Sequence, residues 1–360
     1  MFNNIFQNKK VLITGDSGFK GSWLAILLLK LGANVYGYSL PPKTMKDNFV
    51  VAKLKEKIEH LDGDIRDYKR FYNYVKKVKP DFAFHLAAQP LVLDSYSDPR
   101  YTFETNILGT IYFFEAVRLI DSIRVAINVT SDKCYQNNEW IWGYRECDPL
   151  GGRDPYSASK ASCEIVTQAY IHSYFMENDS ANVASVRAGN VIGGGDWSDY
   201  RIVPDFFKAV YNNKSLVLRN PNATRPWQHV LEPLSGYLLL TTKLFLEGKK
   251  YSGAWNFGPI NTRQKSVLEL IKRLIYYTRK GSYIIEKSTK KLYETQALSL
   301  DISKAMNLLK WEPILDFEET VKLTVEGYMV SENEDIFKQR LNQINYYFEI
   351  AKKKNLIWMN

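Results

Sequence analysis

Val11-Leu12-Ile13-Thr14-Gly15-Asp16-Ser17-Gly18-Phe19-Lys20-Gly21 runs from four apolar or β-branched residues straight into three spaced glycines. The first four read as a strand buried on both faces. Residues 21–31, ended by Gly32, read as the helix that follows. Glycines between a strand and a helix let the backbone turn tightly and approach a pyrophosphate, which then lies at the helix N-terminus among free N–H groups. The strand before and the helix after separate this stretch from a chance glycine turn. It nominates Gly15, Gly18, Phe19, Lys20 and Gly21 as a dinucleotide cradle.

Similar short apolar runs recur at residues 33–38, 58–61, 82–87, 125–129 and 182–187, with helical patterns between most of them. Strands alternating with helices predict an α/β fold, a doubly wound parallel Rossmann sheet. After Arg187 the chain turns rich in Gly, Pro, Trp and polar residues, as in 193–197, 219–221 and 224–227. That change predicts a smaller mixed α/β substrate-binding lobe. The expected division is 1–187 for the dinucleotide domain, with a segment returning near 225–260, and 188–330 mainly for the lobe. Helices are expected there at 266–277 and 317–328. Residues 331–360 hold a closing amphipathic helix, 335–353, expected to pack on the core rather than on a partner.

The 360 residues are 45% apolar and 24% charged, which is ordinary for a globular protein. The net charge of +9 comes from scattered lysines. No nucleic-acid module accompanies them, so no nucleic-acid partner is expected, and the sign suits an anionic small substrate. Cys134, Cys147 and Cys163 have no metal spacing and cannot all pair, so the expectation is no metal and reduced thiols in a cytoplasmic protein. The longest apolar run, 23–29, is too short to span a bilayer, so no membrane partner is expected.

Two short segments carry the chemistry. Tyr156 and Lys160 stand four apart on a predicted helix and project from one face. The ammonium would lower the phenol pKa and hold a cofactor ribose, leaving the phenolate as general base. Ser131, at a strand end, would hydrogen-bond the same substrate hydroxyl. Asp132 and Lys133 add a second acid/base pair; a plain helix cap is the alternative for Asp132. The second strand ends Gly37-Tyr38-Ser39 without the carboxylate that commonly holds an adenosine ribose. Asp64 and Ile65 either meet the adenine or form a simple capped turn. His85 reads as a core residue, and the small residues after it admit a flat cofactor.

The glycine loop, Asp64-Ile65, Leu86-Ala87-Ala88 and the Tyr156/Lys160 pair together resemble the extended short-chain dehydrogenase/reductases, the NAD-dependent epimerases and dehydratases of sugar nucleotides. Longer strings (18–23, 130–135, 151–156, 187–197 and 225–229) narrow the resemblance to the CDP-glucose 4,6-dehydratase family over residues 8–260 and more loosely beyond. Lys133 stands where the related dTDP-sugar dehydratases have Glu. Asp16-Ser17 replaces an expected His-Thr, and Leu93 falls where the family has Arg, which bears on the sugar preference.

The resemblance implies NAD as cofactor, with Asn106 added to the cofactor residues. It also implies a nucleotide-sugar substrate, CDP-glucose, contacted by Gln89, Asn190, Asp196, Trp197, Arg201, Arg219, Arg225 and Trp227. Tyr156 would take the 4-hydroxyl proton as hydride leaves C4, Lys160 and Ser131 assisting. Asp132 as acid and Lys133 as base would then eliminate water across C5 and C6, before the hydride returns to C6. A lysine base must be neutral to act, so the alternative is that Lys133 orients substrate while another group takes the proton. Other readings are a 4-epimerase, a dehydratase of a different nucleotide sugar, or a catalytically silent Rossmann protein. His229 is expected to bond backbone rather than substrate. Apolar residues on helices 101–119 and 157–175 either form a four-helix interface between subunits or cover their own sheet; the resemblance implies a homodimer, with a tetramer as the alternative.

Overall fold

The apolar run at residues 11–14 becomes the middle of a sheet. In the computed structural model, which describes residues 1–177, 179–260, 265–286, 298–331 and 333–359, it lies in strand β1 (Lys10–Thr14), with Val11, Leu12 and Ile13 fully buried. Six strands join it: β2 (Asn34–Ser39), β3 (Glu59–Asp62), β4 (Phe82–His85), β5 (Val125–Val129), β6 (Asn182–Arg187) and β7 (Gly253–Asn256). Their order is β7-β6-β5-β4-β1-β2-β3, and every pairing is parallel. The chain winds outward from β1 to β3, then restarts at β4 on the other side of β1. At that reversal the connections diverge and a crevice opens beyond the carboxyl ends of the strands.

Helices α1 (Phe19–Lys30), α2 (Tyr68–Val78), α3 (Gly109–Leu119) and α4 (Pro155–Tyr174) follow β1, β3, β4 and β5. After β6 the chain forms α5 (Ile202–Tyr211) and returns through α6 (Leu231–Glu247) to β7. It then adds α7 (Val267–Thr278), α8 (Phe317–Tyr328) and α9 (Ile336–Lys353). Alternation along each strand sorts the core into two layers. Val11, Ile13, Phe82 and Phe84 meet α1, α6 and α9, whereas Leu12, Ala83 and Ala126 meet α2, α3 and α4. A third cluster, built on Phe206, Phe207, Leu270, Leu274, Val321 and Val325, is the core of the lobe.

Several boundaries differ from the sequence reading, each for a local reason. β4 stops at His85, not at residue 87, because the N–H groups of Leu86 and Ala87 turn to the Thr14 hydroxyl (3.2 and 3.3 Å). The third strand lies one residue later than expected. The helix expected over 101–119 is a short helix (Pro99–Phe103), a π-turn (Glu104–Leu108) and then α3. Ser266 and Asp335 are N-caps rather than helical residues.

α9 covers the core of its own chain through Ile344, Tyr347 and Phe348. It also straps the start of the lobe. Arg340 Nε donates to Asn48 Oδ1 (2.9 Å), its guanidinium lies over the Trp23 ring, and Asn48 N donates to the Gly195 carbonyl (3.2 Å). Trp23 Nε1 donates to the Gly194 carbonyl (2.9 Å).

Glu164 on α4 is a fully buried carboxylate. Its carboxylate accepts from the Thr130 hydroxyl, from Ser185 Oγ (2.7 Å) and from Arg187 Nη2 (2.7 Å). Arg187 Nη1 donates to the Tyr135 oxygen, whose hydroxyl donates to Asn256 Oδ1. One carboxylate thus ties α4 to the ends of β5 and β6, and through Tyr135 to β7. Removing one partner of such a pair leaves a buried charge uncompensated. Glu164→Ala is therefore expected to cost about 3–5 kcal/mol of stability. The double variant Glu164→Leu, Arg187→Met should lose less than Glu164→Ala alone, and denaturant unfolding of the set measures both.

Candidate active site

The crevice at the strand ends is a cleft of about 1780 Å³ between the sheet and the lobe. Every sequence-nominated residue lines it except Asn106. That residue is a correction to the expected cofactor set. The π-turn carries it behind the wall, where its amide accepts from Gln89 N (2.8 Å) and donates to the Gln89 carbonyl and to Ser159 Oγ. Gln89 itself is spent on its own loop, its side chain bonding Leu91 N, the Leu91 carbonyl and Thr102 Oγ1. Its amide braces the wall, so the structure does not bear out a substrate contact by this side chain.

At one end of the cleft lies the glycine loop. Gly15 has φ +76°, and a Cβ on it would lie 2.7 Å from Ala87 N; at Gly21 a Cβ would lie 2.1 Å from the Gly15 carbonyl oxygen. Only glycine lets the loop close on the first turn of α1 and leave an open cradle. A dinucleotide fits these residues: N–H groups of the helix start, small residues at Ala87 and Ala88, and an open floor. Below the loop Asp16 points inward, its Oδ2 at 2.6 Å from His60 Nδ1, and His60 Nε2 lies 3.0 Å from Asp62. Burial opposes charge on His60, but its two carboxylate partners outweigh it and the pKa is raised. Asp16 is a buried carboxylate beneath Gly37, where a Cβ would strike it at 2.1 Å, and it does not line the cleft. Asp64 is held bidentately by Arg66 (Nε to Oδ1 3.1 Å, Nη2 to Oδ2 2.7 Å) in the turn after β3, and it also lines the cleft.

At the other end the strand β5 delivers Ser131, Asp132 and Lys133 in one 3-10 turn. Ser131 Oγ donates to Asp132 Oδ1 (2.9 Å) and accepts from Lys133 N (3.2 Å). Asp132 lies over Gly189, where a Cβ would be 1.9 Å from Oδ2. α4 begins with Asp154 as cap, accepting from Ser157 N and Oγ, and so presents Tyr156 and Lys160 one turn apart. Burial pushes the Tyr156 phenol up to about 12; the Ser131 hydrogen bond and Arg201 pull it down, and Asp132 pushes it up. This departs from the expectation that Lys160 sets that pKa. The Lys160 ammonium reaches the Val129 carbonyl (3.4 Å), and burial lowers its own pKa.

On the lobe side Arg201 pairs with Asp196 (2.9 Å), and Tyr328 Oη donates to the Asp196 carbonyl. Asn190 takes a left-handed φ of +49° at the cleft wall. Trp197 packs on Tyr211 and Tyr328 with Lys46 over its face, and Trp227 Nε1 donates to the Lys265 carbonyl. Arg219 is exposed at the rim, and Arg225 donates to the Thr224 carbonyl. Leu93 lines the cleft where a charged contact was expected by resemblance. His85 bonds Thr14 (2.8 Å) and stacks on Phe113, a core residue as read. His229 Nδ1 accepts from Leu231 N (3.4 Å), the backbone bond expected of it.

Sequence reasoning missed Gly189, Glu164 and the ionisable side chain of Lys20, which was read only as part of the cradle. A lysine one position before the third glycine was the available signal for the last. Among the described residues no cluster of His, Cys, Asp and Glu could hold a metal, and no helix is long and apolar enough to cross a membrane. Gly21→Ala should drive its methyl into the Gly15 carbonyl and weaken NAD binding by at least about tenfold. Fluorescence titration reads this, and unchanged affinity would remove the loop from the cofactor site.

The family model described as GDP-mannose 4,6 dehydratase matches residues 12–324. A CDP-glucose 4,6-dehydratase of Salmonella typhimurium is 44% identical over 330 residues, 90% of this chain and 92% of that protein. Among solved structures, an epimerase from Methanothermobacter thermautotrophicus superposes with a TM-score of 0.78 at 23% identity over 96% of both chains. The dTDP-glucose 4,6-dehydratase of Bacillus anthracis in complex with NAD gives 0.73 at 22% identity, over 92% of this chain and 99% of that one. With a parallel Rossmann sheet, a glycine cradle and Tyr156 and Lys160 beside Ser131 and Asp132, the chain belongs to the sugar-nucleotide epimerase/dehydratase family of the extended short-chain dehydrogenase/reductases.

Proposed function

We propose that this protein converts CDP-glucose to CDP-4-keto-6-deoxyglucose and water with bound NAD. The observation that carries the reading is Asp132, buried over Gly189, bonded to Ser131 and acting on Tyr156. A 4-epimerase needs Tyr156 and Lys160 but has no use for a second acid at that point. The 44% identity to a CDP-glucose enzyme supports the nucleotide. Residues 1–187 with β7 hold the cofactor in this reading, and the lobe holds the sugar nucleotide.

NAD, held by the glycine loop and the small residues Ala87 and Ala88, would supply the hydride acceptor and donor for the reaction. Tyr156 removes the 4-hydroxyl proton, Ser131 and Arg201 lower the cost of its phenolate, and Lys160 holds the cofactor ribose in this reading. The resulting ketone acidifies the C5 hydrogen. Asp132 gives a proton to the departing 6-hydroxyl, and a cleft lysine takes the proton from C5. Three lysines line the cleft without a side-chain hydrogen bond or ion pair among the described residues: Lys133, to which the resemblance assigns this role, Lys20 and Lys43. Arg201, Arg219 and Arg225 line the cleft and would meet the diphosphate in this reading, since the guanidinium fork matches phosphate oxygens.

Incubation with CDP-, UDP-, GDP- and dTDP-glucose, followed by mass and NMR analysis, tests the reading. Loss of one water from CDP-glucose is expected, and a product of unchanged mass would overturn it. Tyr156→Phe should lower kcat by about 10²–10⁴ through loss of the general base.

The exposed apolar residues Leu108, Leu119, Ile165 and Tyr174, on and beside α3 and α4, support a homodimer packed through these helices. Three free cysteines support a cytoplasmic setting. Leu108→Glu with Ile165→Glu should give a monomer by light scattering; an unchanged mass would refute this interface.

A further inference from the structure

We infer that Asp16 and His60 are a positioning pair for the dinucleotide, and that the cradle grips its ligand fully only while His60 carries its proton. The inference rests on the reading that the glycine loop holds NAD. Asp16 lies within that loop, between Gly15 and Ser17, which both line the cleft. Its side chain turns the other way and is buried beneath Gly37. A carboxylate inside a loop built to take a pyrophosphate is an electrostatic fault, because it repels the ligand that the backbone N–H groups attract. The fault calls for a counter-charge, and His60 on β3 is the group in contact, its Nδ1 2.6 Å from Asp16 Oδ2. The other ring nitrogen, Nε2, lies 3.0 Å from Asp62 Oδ1. The side chains of Asp16 and His60 are both closed to solvent.

An imidazole with a carboxylate oxygen at each nitrogen is suited to the imidazolium. The neutral ring has one N–H, so it could bond one acid and would turn a lone pair on the other. Losing the proton breaks the bridge and leaves Asp16 uncompensated in the cradle. Burial opposes the charge on the ring, but the two acids prevail and its pKa is raised above the ordinary 6.5. The remaining neighbours of His60 are apolar or otherwise engaged. Phe49 packs on the ring (centroids 4.9 Å apart). Lys55, in the turn before β3, pairs with Asp62 (3.3 Å). From α2, Arg70 donates to the Asp62 carbonyl (2.7 Å), Asp67 caps its own helix, and Tyr74 donates to the Glu59 carbonyl (3.2 Å). Burial raises the Tyr74 pKa and keeps that phenol neutral. The Glu59, Lys69 and Lys77 side chains line the outer groove that His60 also borders, and Lys20 on α1 lines the cleft instead.

Proton and dinucleotide are then linked, with the sign set by charge. An anion in the cradle favours protonated His60, so the proton favours the anion by the same factor. Affinity is full below the His60 pKa and falls as pH rises through it. If binding raises that pKa by about one unit, the protonated form binds about tenfold more tightly than the neutral one.

The test is the Kd of the full-length protein for NAD from about pH 6 to about pH 9, followed by fluorescence titration. Asp16→Asn, His60→Gln and the double variant are compared with the unsubstituted protein. The readout is the unsubstituted Kd divided by that of Asp16→Asn, because Lys20, with a pKa lowered to about 8, titrates in both. That ratio should climb from about one at low pH to about ten at high pH. Asp16→Asn keeps the shape and an acceptor for the His60 N–H, so this arm does not depend on whether His60→Gln folds. His60→Gln should bind about tenfold more weakly already at low pH, and adding Asp16→Asn should restore the affinity. A merely structural role makes the double variant at least as weak as either single one. A ratio that stays flat with pH overturns the inference, and so does a double variant no better than His60→Gln. If the unsubstituted protein binds no NAD at any pH, the cofactor reading falls first and the role of this pair with it.

Discussion

The bond between Glu164 and Arg187 is the constraint on which the rest of the site depends. It is buried without water-facing atoms, and each partner uses its remaining capacity on a different element. Glu164 is four residues beyond Lys160 on the same helix, so fixing it fixes the face that carries Tyr156 and Lys160. Thr130, the next acceptor-seeking group, precedes Ser131. The relative position of the two chemical segments is thus held by this carboxylate together with the direct Ser131–Tyr156 contact between them. An ion pair of this kind adds little net stability against an apolar replacement, and its value lies in specifying one geometry.

From that anchor the cleft is assembled by close approach. Gly15, Gly21 and Gly189 each stand where a methyl group would collide with backbone or with Asp132. The glycines do different work: two shape a cradle for phosphates, and one lets a carboxylate lie flat against the wall. The charged residues then sort by commitment. Asp64, Asp196 and Asp16 are paired, while Lys20, Lys133 and one oxygen of Asp132 are left free to meet something else.

Much of this was legible in the chain. Short apolar runs with a strand–glycine–helix junction announce a doubly wound sheet, and a Tyr and a Lys four apart at the end of a later strand announce the chemistry. Other parts were not legible, for physical reasons. Asn106 leaves the cleft because a π-turn, which no residue type marks, rotates it by part of a turn. Gln89 has the polarity of a ligand but closes its own loop. Glu164 lies in a helix of mixed composition and reads as a surface charge until the sheet brings Arg187 against it. The phenol of Tyr156 responds to burial, which spacing alone cannot convey.

The strap from Arg340 through Asn48 to Gly195 has a consequence for biosynthesis. The segment from β1 to β6 holds most of the sheet and emerges from the ribosome first, and such units fold as they appear. The loop that carries Asp196 and Arg201 takes a brace from α9, far along the chain from the sheet. A nascent chain can therefore have a formed sheet while its substrate wall is unsecured. A chain cut before α9 would carry a cradle without a finished reaction chamber.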